Sequence, residues 1–573
     1  MTARLSLRRR VPKGTPEGWS ETVHPVLRQI YAARGVLTPA DADHRLSRML
    51  APHQLGGMER AVDLLVEAIR ADWRILIAGD YDCDGATGTA VAVRGLRMLG
   101  AKDVAYAVPN RFVHGYGLSP ALVESLWPRP QLIVTVDNGV ASVAGVAAAQ
   151  ALGIRVIVTD HHLPGEQLPA ADAMVNPNLA GDAFPSKALA GVGVMFYLLL
   201  ALRAKLREQG AFAGGEPDLS ALLDLVALGT VADLVPLDYN NRVLVEAGLR
   251  RIRAGRACAG IAALVESGRR SLATLCASDL GYSVGPRLNA AGRLEDMRLG
   301  VECLLTDDLA IARRYAEQLS AINQERRELQ AAMVAEAEVM VARAAATDAV
   351  GVALFEPSWH AGVVGLVASK LKERMHRPVI AFAPASEDNV EELRGSGRSI
   401  AGFHIRDALA AIDARQPGLI ERFGGHAMAA GLSLKTRDFP RFAAAFDAVA
   451  REWLDEERLE AVLYTDGELP IGSATLELAR QLRYGGPWGQ AFPEPVFDNE
   501  FVCAGWKVMG ETHLRLTLSD PRDGSVHDAV MFGAYTGQPP PSRLRAAYEL
   551  TINDWQGRES PRLLLRYVEP LSG

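Results

Sequence analysis

Arg74-Ile75-Leu76-Ile77-Ala78-Gly79-Asp80-Tyr81-Asp82-Cys83-Asp84-Gly85 is the stretch on which the reading of this chain turns. Arg74–Ala78 is a short apolar run of strand character, Asp80–Gly85 a loop carrying three carboxylates, and Thr87–Leu99 a helix; the amphipathic helix Ala61–Ala71 precedes them. The unit then recurs as strand Leu132–Val136, loop Asp137-Asn138-Gly139, helix Ser142–Leu152, strand Val156–Val158 and loop Asp160-His161-His162. Strands alternating with helices predict an α/β fold, a parallel sheet with crossover helices. Functional groups in such sheets collect at the carboxyl ends of the strands. Each of these loops begins with Asp at that end.

A further acidic element, Gly229-Thr230-Val231-Ala232-Asp233, follows a helical stretch over Phe196–Gln209 and Leu219–Leu228. Carboxylates crowded together repel one another and raise each other's pKa, unless a cation neutralises them. Oxygen ligands with one or two imidazoles suit Mn²⁺ or Mg²⁺. A pair of such ions is a known device for hydrolysing phosphate esters. Taken singly, a D-x-D-x-D string is most often a solvated turn or a calcium loop, and an adjacent His pair a surface accident. The EF-hand version fails because no bidentate Glu follows at the required spacing. Acidic motifs after several apolar elements of one α/β unit favour a metal centre.

The rest of the chain is ordinary in composition and bounds the partners. Of 573 residues, 49% are hydrophobic and 23% charged, which excludes a disordered, collagen-like or heptad-dominated protein. The net charge of −7 advertises no global attraction to nucleic acid, so such a partner must be gripped locally. Five cysteines without a C-x-x-C pair argue against a zinc ribbon or a disulfide scaffold and fit a reducing cytoplasm. The basic start, Arg8-Arg9-Arg10, leads into Val11-Pro12-Lys13-Gly14 rather than an apolar segment, so no signal peptide is expected. The longest apolar run, Ala188–Leu202, is too short to span a membrane and reads as a buried core helix.

Residues 1–55 carry no usable motif, and 56–306 hold the acidic units. From 307 to 347 there is neither Gly nor Pro, so one helix of ~40 residues, ~60 Å long, is expected. Strand chemistry restarts at Val350–Phe355, and Gly-rich strings follow at Gly395–Gly402 and Gly424–Gly431, giving a second α/β domain over 348–455. Over 456–573 short apolar strands (Glu500–Lys507, His513–Leu518, Ala529–Phe532, Tyr548–Asn553, Arg562–Tyr567) predict a small β-barrel of OB type.

Read together, LIAGDYDCDGATGTA, VTVDNG, VTDHH, GTVADLVPL, GPRLNAAGR and FGGHAMAAG resemble the DHH phosphoesterase superfamily, in the order found in its bacterial single-strand-specific 5′→3′ exonucleases. The resemblance covers about 55 to 450, with a compatible C-terminal barrel. It implies a DHH domain, a connecting helix, a DHHA1 domain and the barrel. The implied reaction is hydrolysis of single-stranded DNA from a 5′ end to mononucleotides, in recombination and repair (including mismatch repair). The implied cofactors are two Mn²⁺ or Mg²⁺ ions. Asp82, Asp84, Asp137, His161 and Asp233 would be their ligands, Asp137 bridging, with Asp80 supporting one ion directly or through water. His162 would sit beside the scissile phosphate. Cys83 reads as a small buried filler, pointing away from Asp82 and Asp84 if the loop continues the strand.

Substrate contacts implied by the resemblance are Arg111, Tyr116, Arg287, Asn289, Arg293, Arg398, Ser399, Gly425 and His426. Glycines let backbone N–H groups approach a phosphate, and an arginine can fork onto its oxygens. Residues 351–450 hold 12 Lys+Arg against 11 Asp+Glu, and 461–573 hold 10 against 14, so any basic track is a local stripe. In the barrel Trp488, Phe492, Trp506, Trp555 and Tyr567 are stacking candidates, though most aromatics of a small barrel are core. Single-strand-binding protein and a helicase are the protein partners that fit, and a monomer fits the family. Competing readings are a DHH phosphodiesterase of short oligonucleotides or cyclic dinucleotides, a manganese pyrophosphatase, and a non-catalytic single-strand-binding relative. Length and barrel stand against the first two, and filled acidic positions against the third.

Overall fold

Apolar runs with buried residues on both faces are what a covered parallel sheet requires. β1 (Arg74–Gly79), β2 (Asp103–Ala107), β3 (Leu132–Val136), β4 (Arg155–Thr159) and β5 (Ala173–Val175) form one in a computed structural model, in the order β2-β1-β3-β4-β5, every pair parallel. The structure describes residues 5–109, 116–343, 349–386 and 389–571. Ile75, Ile77, Val134 and Val136 pack on one face against α1 (Met58–Arg70), α2 (Cys83–Met98) and α4 (Gly191–Glu208). Leu76, Ala78, Ile133 and Val156 face the other way, toward α3 (Val143–Ala151). β1 sits between β2 and β3, so the order reverses there and leaves a crevice beyond its carboxyl end.

The first acidic loop is shorter than expected. α2 starts at Cys83 instead of near Thr87, because the Asp82 carboxylate caps it by accepting from Gly85 N at 2.9 Å. Cys83 is buried, as expected of a filler, but as the first residue of a helix rather than a continuation of the strand. Asp233 likewise comes from a helix: it ends α5 (Leu223–Ala232). The apolar run 188–202 is the buried body of α4.

The chain divides into two compact units, Arg9–Ile322 with Thr465–Gly573, and Met1–Arg8 with Asn323–Tyr464. Helix α6 (Gly285–Leu294) lies in the first unit, and α7 (Leu309–Arg343) accounts for the long Gly- and Pro-free stretch up to 343; 344–348 lie outside the described residues. In the second unit β6 (Val352–Phe355), β7 (Val379–Ser386), β8 (Asn389–Arg398), β9 (Arg422–Gly425) and β10 (Ala429–Lys435) run in the order β9-β10-β8-β7-β6 around a core of Phe382, Phe403, Phe442 and Phe446.

Back in the first unit, β11 (Phe497–Met509), β12 (His513–Ser519), β13 (Val526–Met531), β14 (Arg543–Trp555) and β15 (Arg558–Pro570) close into a barrel, each expected strand being present and longer at one or both ends. Trp488 and Phe492 are buried and stacked on each other at 5.0 Å, so they are unavailable to a base; Trp506 and Trp555 are exposed.

Residues before 56, silent in the sequence, are built into the molecule. Leu5–Arg9 pairs with Ala461–Thr465. The helix Pro25–Ala33 buries Leu27, Ile30 and Tyr31, and Tyr31 Oη donates to Gly485 O at 2.7 Å. Arg34 grips the buried Asp466 with Nη1 at 2.7 Å and Nη2 at 3.1 Å.

Candidate metal centre

At the crevice beyond β1 and β3 the acidic loops meet. Asp137 follows β3 with a left-handed backbone (φ 62°), a conformation that Asp tolerates better than most residues, and this turns its carboxylate inward. His161 Nε2 lies 3.0 Å from Asp137 Oδ1, 3.5 Å from Asp233 Oδ2 and 4.0 Å from Asp84 Oδ2. Potential ligand atoms fall into overlapping groups: Asp84, His161 and Asp233; Asp80, Asp82 and Asp137; Asp137, His161 and His162. Asp137 is shared between two of them. All of the expected ligands are thus brought together.

The chain fastens this cluster from behind. Gly191 N and Val192 N, at the start of α4, donate to Asp84 Oδ2 and Oδ1 at 2.7 and 2.9 Å. Gly191 must be glycine: a Cβ there would stand 2.5 Å from Asp137 Cβ. Asn138 Nδ2 donates to Ala78 O and Val136 O, tying the ends of β1 and β3. Asp160, buried and never singled out as a site residue by the sequence, is a hub. Its Oδ1 accepts from His161 N (2.7 Å), His162 N (3.1 Å) and lies 2.8 Å from His162 Nδ1; its Oδ2 accepts from Val140 N (2.8 Å). Asn178 Nδ2 and Asn176 Nδ2 hold the carbonyls of His161 and His162.

Burial, with the charges of Asp84 and Asp82 next, holds the Asp137 carboxyl well above the usual range, and Asp233 is raised in the same way. Burial and then Asp82 push Asp84 up to about 7, against the pull of its two backbone donors. Burial also opposes ionisation of Asp160 and His162, but their mutual bond wins: Asp160 is lowered and His162 raised to about 9. A cluster whose carboxylates resist ionisation is one that a cation would relieve. Asp137 Oδ1 is buried, with the His161 ring nitrogen 3.0 Å away and no other donor in hydrogen-bonding geometry among the described residues, so a lone pair is left for a ligand. The donor set of carboxylates and imidazole fits Mn²⁺ or Mg²⁺.

The expected substrate contacts divide. Tyr116 is half exposed, its ring edge-on to His162 with centroids 6.2 Å apart. Arg111 lies outside the described residues. Asn289 and Arg287 fasten the protein itself. Asn289 Oδ1 accepts from Cys83 N at 2.8 Å; Arg287 Nε donates to Ser320 Oγ at 3.0 Å, and its terminal nitrogens to Ser283 and Ser267. Arg293, on α6, is partly exposed. In the second unit Ser399 is buried, with its hydroxyl given to Phe403 O at 2.5 Å. Arg398 is held by Ser396 Oγ and Gly397 O. Gly425 (φ 140°) and the exposed His426 form the turn between β9 and β10.

A doubly covered parallel sheet with this cluster at its crevice, a second α/β unit and a closed barrel is the architecture of a multidomain DHH phosphoesterase. Residues 74–230 match the DHH family N-terminal domain, 344–452 the DHHA1 domain and 465–567 the RecJ OB domain. The single-stranded-DNA-specific exonuclease RecJ of Dickeya dadantii is 52% identical over 96% of this chain and 97% of its own length. That of Escherichia coli is 48% identical over the full length of both. The crystal structure of RecJ in complex with Mn²⁺ from Thermus thermophilus superposes with a TM-score of 0.81 at 30% identity, covering 100% of this chain and 80% of that one. The chain belongs to the RecJ family.

Proposed function

We propose that this protein is a single-stranded-DNA-specific exonuclease that hydrolyses phosphodiester bonds with two Mn²⁺ or Mg²⁺ ions, working 5′→3′ to mononucleotides. The observation that carries this is the pair of ligand groups built on Asp80, Asp82, Asp84, Asp137, His161 and Asp233, in a chain whose full-length relatives are named for that activity. When bound, the ions would supply Lewis acidity and a nucleophile at neutral pH. Asp137 would serve both ions. Asp160 holds the ring of His162 by Nδ1, which orients the imidazole and favours its charged form, and His162 would give a proton to the leaving oxygen.

Catalysis falls to 56–306 and phosphate grip to 348–455, with 307–347 connecting them, and 456–573 form the barrel, with 1–55 bracing it. Arg398, Gly425 and His426 are the phosphate-binding group of the second unit, and Arg111, Tyr116 and Arg293 that of the first. The substrate is a single strand presented at its 5′ end, with a helicase and a single-strand-binding protein as the partners that expose it. A cytoplasmic monomer fits the five cysteines, which form no disulfide. Among the described residues no helix is long and apolar enough to cross a membrane.

The test is digestion of 5′- and 3′-labelled single- and double-stranded DNA in Mn²⁺. Mononucleotides released from the 5′ label first, with blunt duplex resistant, is the expected result. Equal attack on both ends, or rapid digestion of blunt duplex, would overturn the polarity or the strand choice.

A further inference from the structure

The residues between the catalytic loop and the barrel include an exposed tyrosine that the chemistry above does not use. Ala277–Asp279, a π-turn over Leu280–Val284 and α6 follow one another without a break. π-turns inside helices are frequent at functional sites. Tyr282, in the middle of this one, is 84% exposed. Tyr282, Pro286, Asn289 and Arg293 are all accessible, and their spacing of i, i+4, i+7 and i+11 sets them along one side of the helical segment.

That side is anchored to the metal centre at two places. Asn289 Oδ1 accepts from Cys83 N at 2.8 Å, and a Cβ on Gly292 would fall 1.8 Å from Tyr81 O, so α6 lies directly on the loop that carries Asp80, Asp82 and Asp84. Nearer Tyr282, a Cβ on Gly281 would stand 3.2 Å from Val231 Cγ1 and one on Gly285 3.1 Å from Ala232 Cβ, the two residues just before Asp233. Tyr282 to Asn289 is about 10 Å of helix. A stacked strand covers that distance in about three nucleotides.

We propose that Tyr282 is a stacking platform for a nucleobase of the bound single strand, about three nucleotides to the 3′ side of the scissile phosphate. The proposal rests on the exonuclease reading. An enzyme that removes one nucleotide at a time has a single nucleotide on the 5′ side, so a base this far from the cluster belongs to the 3′ side. Past the ring is a hollow of 360 Å³ whose wall includes Arg270, Arg483 and Tyr484 together with Leu550 of the barrel. Both arginines lean on Asp279, at 3.3 and 3.8 Å, so their charge is partly neutralised and stacking is the stronger hold. The strand therefore leaves the metals along α6, crosses Tyr282 and runs toward the barrel.

The experiment uses the full chain in EDTA with 5′-phosphorylated 12-mers carrying 2-aminopurine at successive positions. Stacking on Tyr282 quenches the probe at one internal position in the wild type. Tyr282→Ala loses that quenching and binds the 12-mer about 5- to 160-fold more weakly, the range for one base–aromatic stack; Tyr282→Phe keeps both. An abasic site at the quenched position brings wild type and Tyr282→Ala to the same affinity. A dinucleotide, too short to reach the ring, is cleaved equally by both in Mn²⁺. Wild-type affinity in Tyr282→Ala, or a deficit that survives the abasic site, overturns the proposal. A wild type that degrades no single strand in Mn²⁺ overturns the exonuclease reading instead.

Discussion

Replacing Asp160 by Asn tests whether the hub behind the His pair matters as much as its geometry implies. The carboxylate receives His161 N, His162 N and the His162 ring on one oxygen and Val140 N on the other. An amide has one oxygen. Its better orientation keeps that oxygen toward the histidines and turns the NH₂ group on Val140 N–H, leaving a buried donor unsatisfied at a cost of about 1–3 kcal/mol. The three retained bonds lose their charged acceptor, about 1 kcal/mol each. The expected local loss is therefore about 4–6 kcal/mol, read by hydrogen–deuterium exchange of the segment 159–163 and of Val140. Asp160 belongs to none of the ligand groups, so two Mn²⁺ should still bind. Turnover at saturating Mn²⁺ should fall about 10–100-fold, as outer partners of a metal site typically do. Unchanged exchange with unchanged turnover would refute the hub, and loss of Mn²⁺ stoichiometry would make Asp160 a ligand.

Asp137→Ala should be the most damaging ligand change, abolishing turnover together with the Mn²⁺-induced rise in melting temperature, which for a bound ion at a hundred times its Kd corresponds to about 2.7 kcal/mol; near-normal turnover would refute the shared-ligand role. His162→Ala should keep its Mn²⁺ and lose about 10²–10⁴-fold in rate, and metal loss in step with activity would count against proton donation. Burial, then the neighbouring Arg242, hold His44 down at about 4. The unfolded chain takes up that proton near 6.5 and the folded one does not, so stability is full above 6.5 and falls by about 3 kcal/mol as pH drops toward 4. Urea midpoints across that window should drop less in His44→Gln; an equal drop would show that another group is responsible.

The metal centre was legible because each ligand loop follows an apolar run whose character survives in isolation, as at Leu132–Val136 before Asp137. What the residues do inside the centre was less so. Cys83 is a buried filler for a different reason than its strand position suggested, since the cap at Asp82 starts a helix there. Asp160 looked like the first letter of a motif, whereas its meaning lies in donors from Val140 and the two histidines. Asn289 and Ser399 were implied as substrate contacts by the family's motifs, which do not show what else a side chain holds. Their partners, Cys83 N and Phe403 O, appear only once the chain is folded. Residues before 56 gave no motif because their partners lie far along the chain, about 190 positions for Leu50 with Asn240 and more than 400 for His24 and Arg34.

That distance has a consequence for how the protein is made. Arg34 and Asp466 are separated by 432 positions, and Arg9 and Asp498 by 489. A ribosome adding about 5–20 residues per second takes on the order of 20–90 s to cover the first interval. Through that time the helix Pro25–Ala33 has been synthesised while Gly485 and Trp488, on which Tyr31 rests, have not. Tyr31 has Trp19 stacked on it from the start, but its contacts with Gly485 and Trp488, and that of Leu27 with Gly485, must wait for the last fifth of the chain. The nascent protein thus carries its own unfinished surface at its leading end. A ribosome stalled before the barrel would leave that surface open to chaperones and proteases, with the sequence for the metal centre already synthesised.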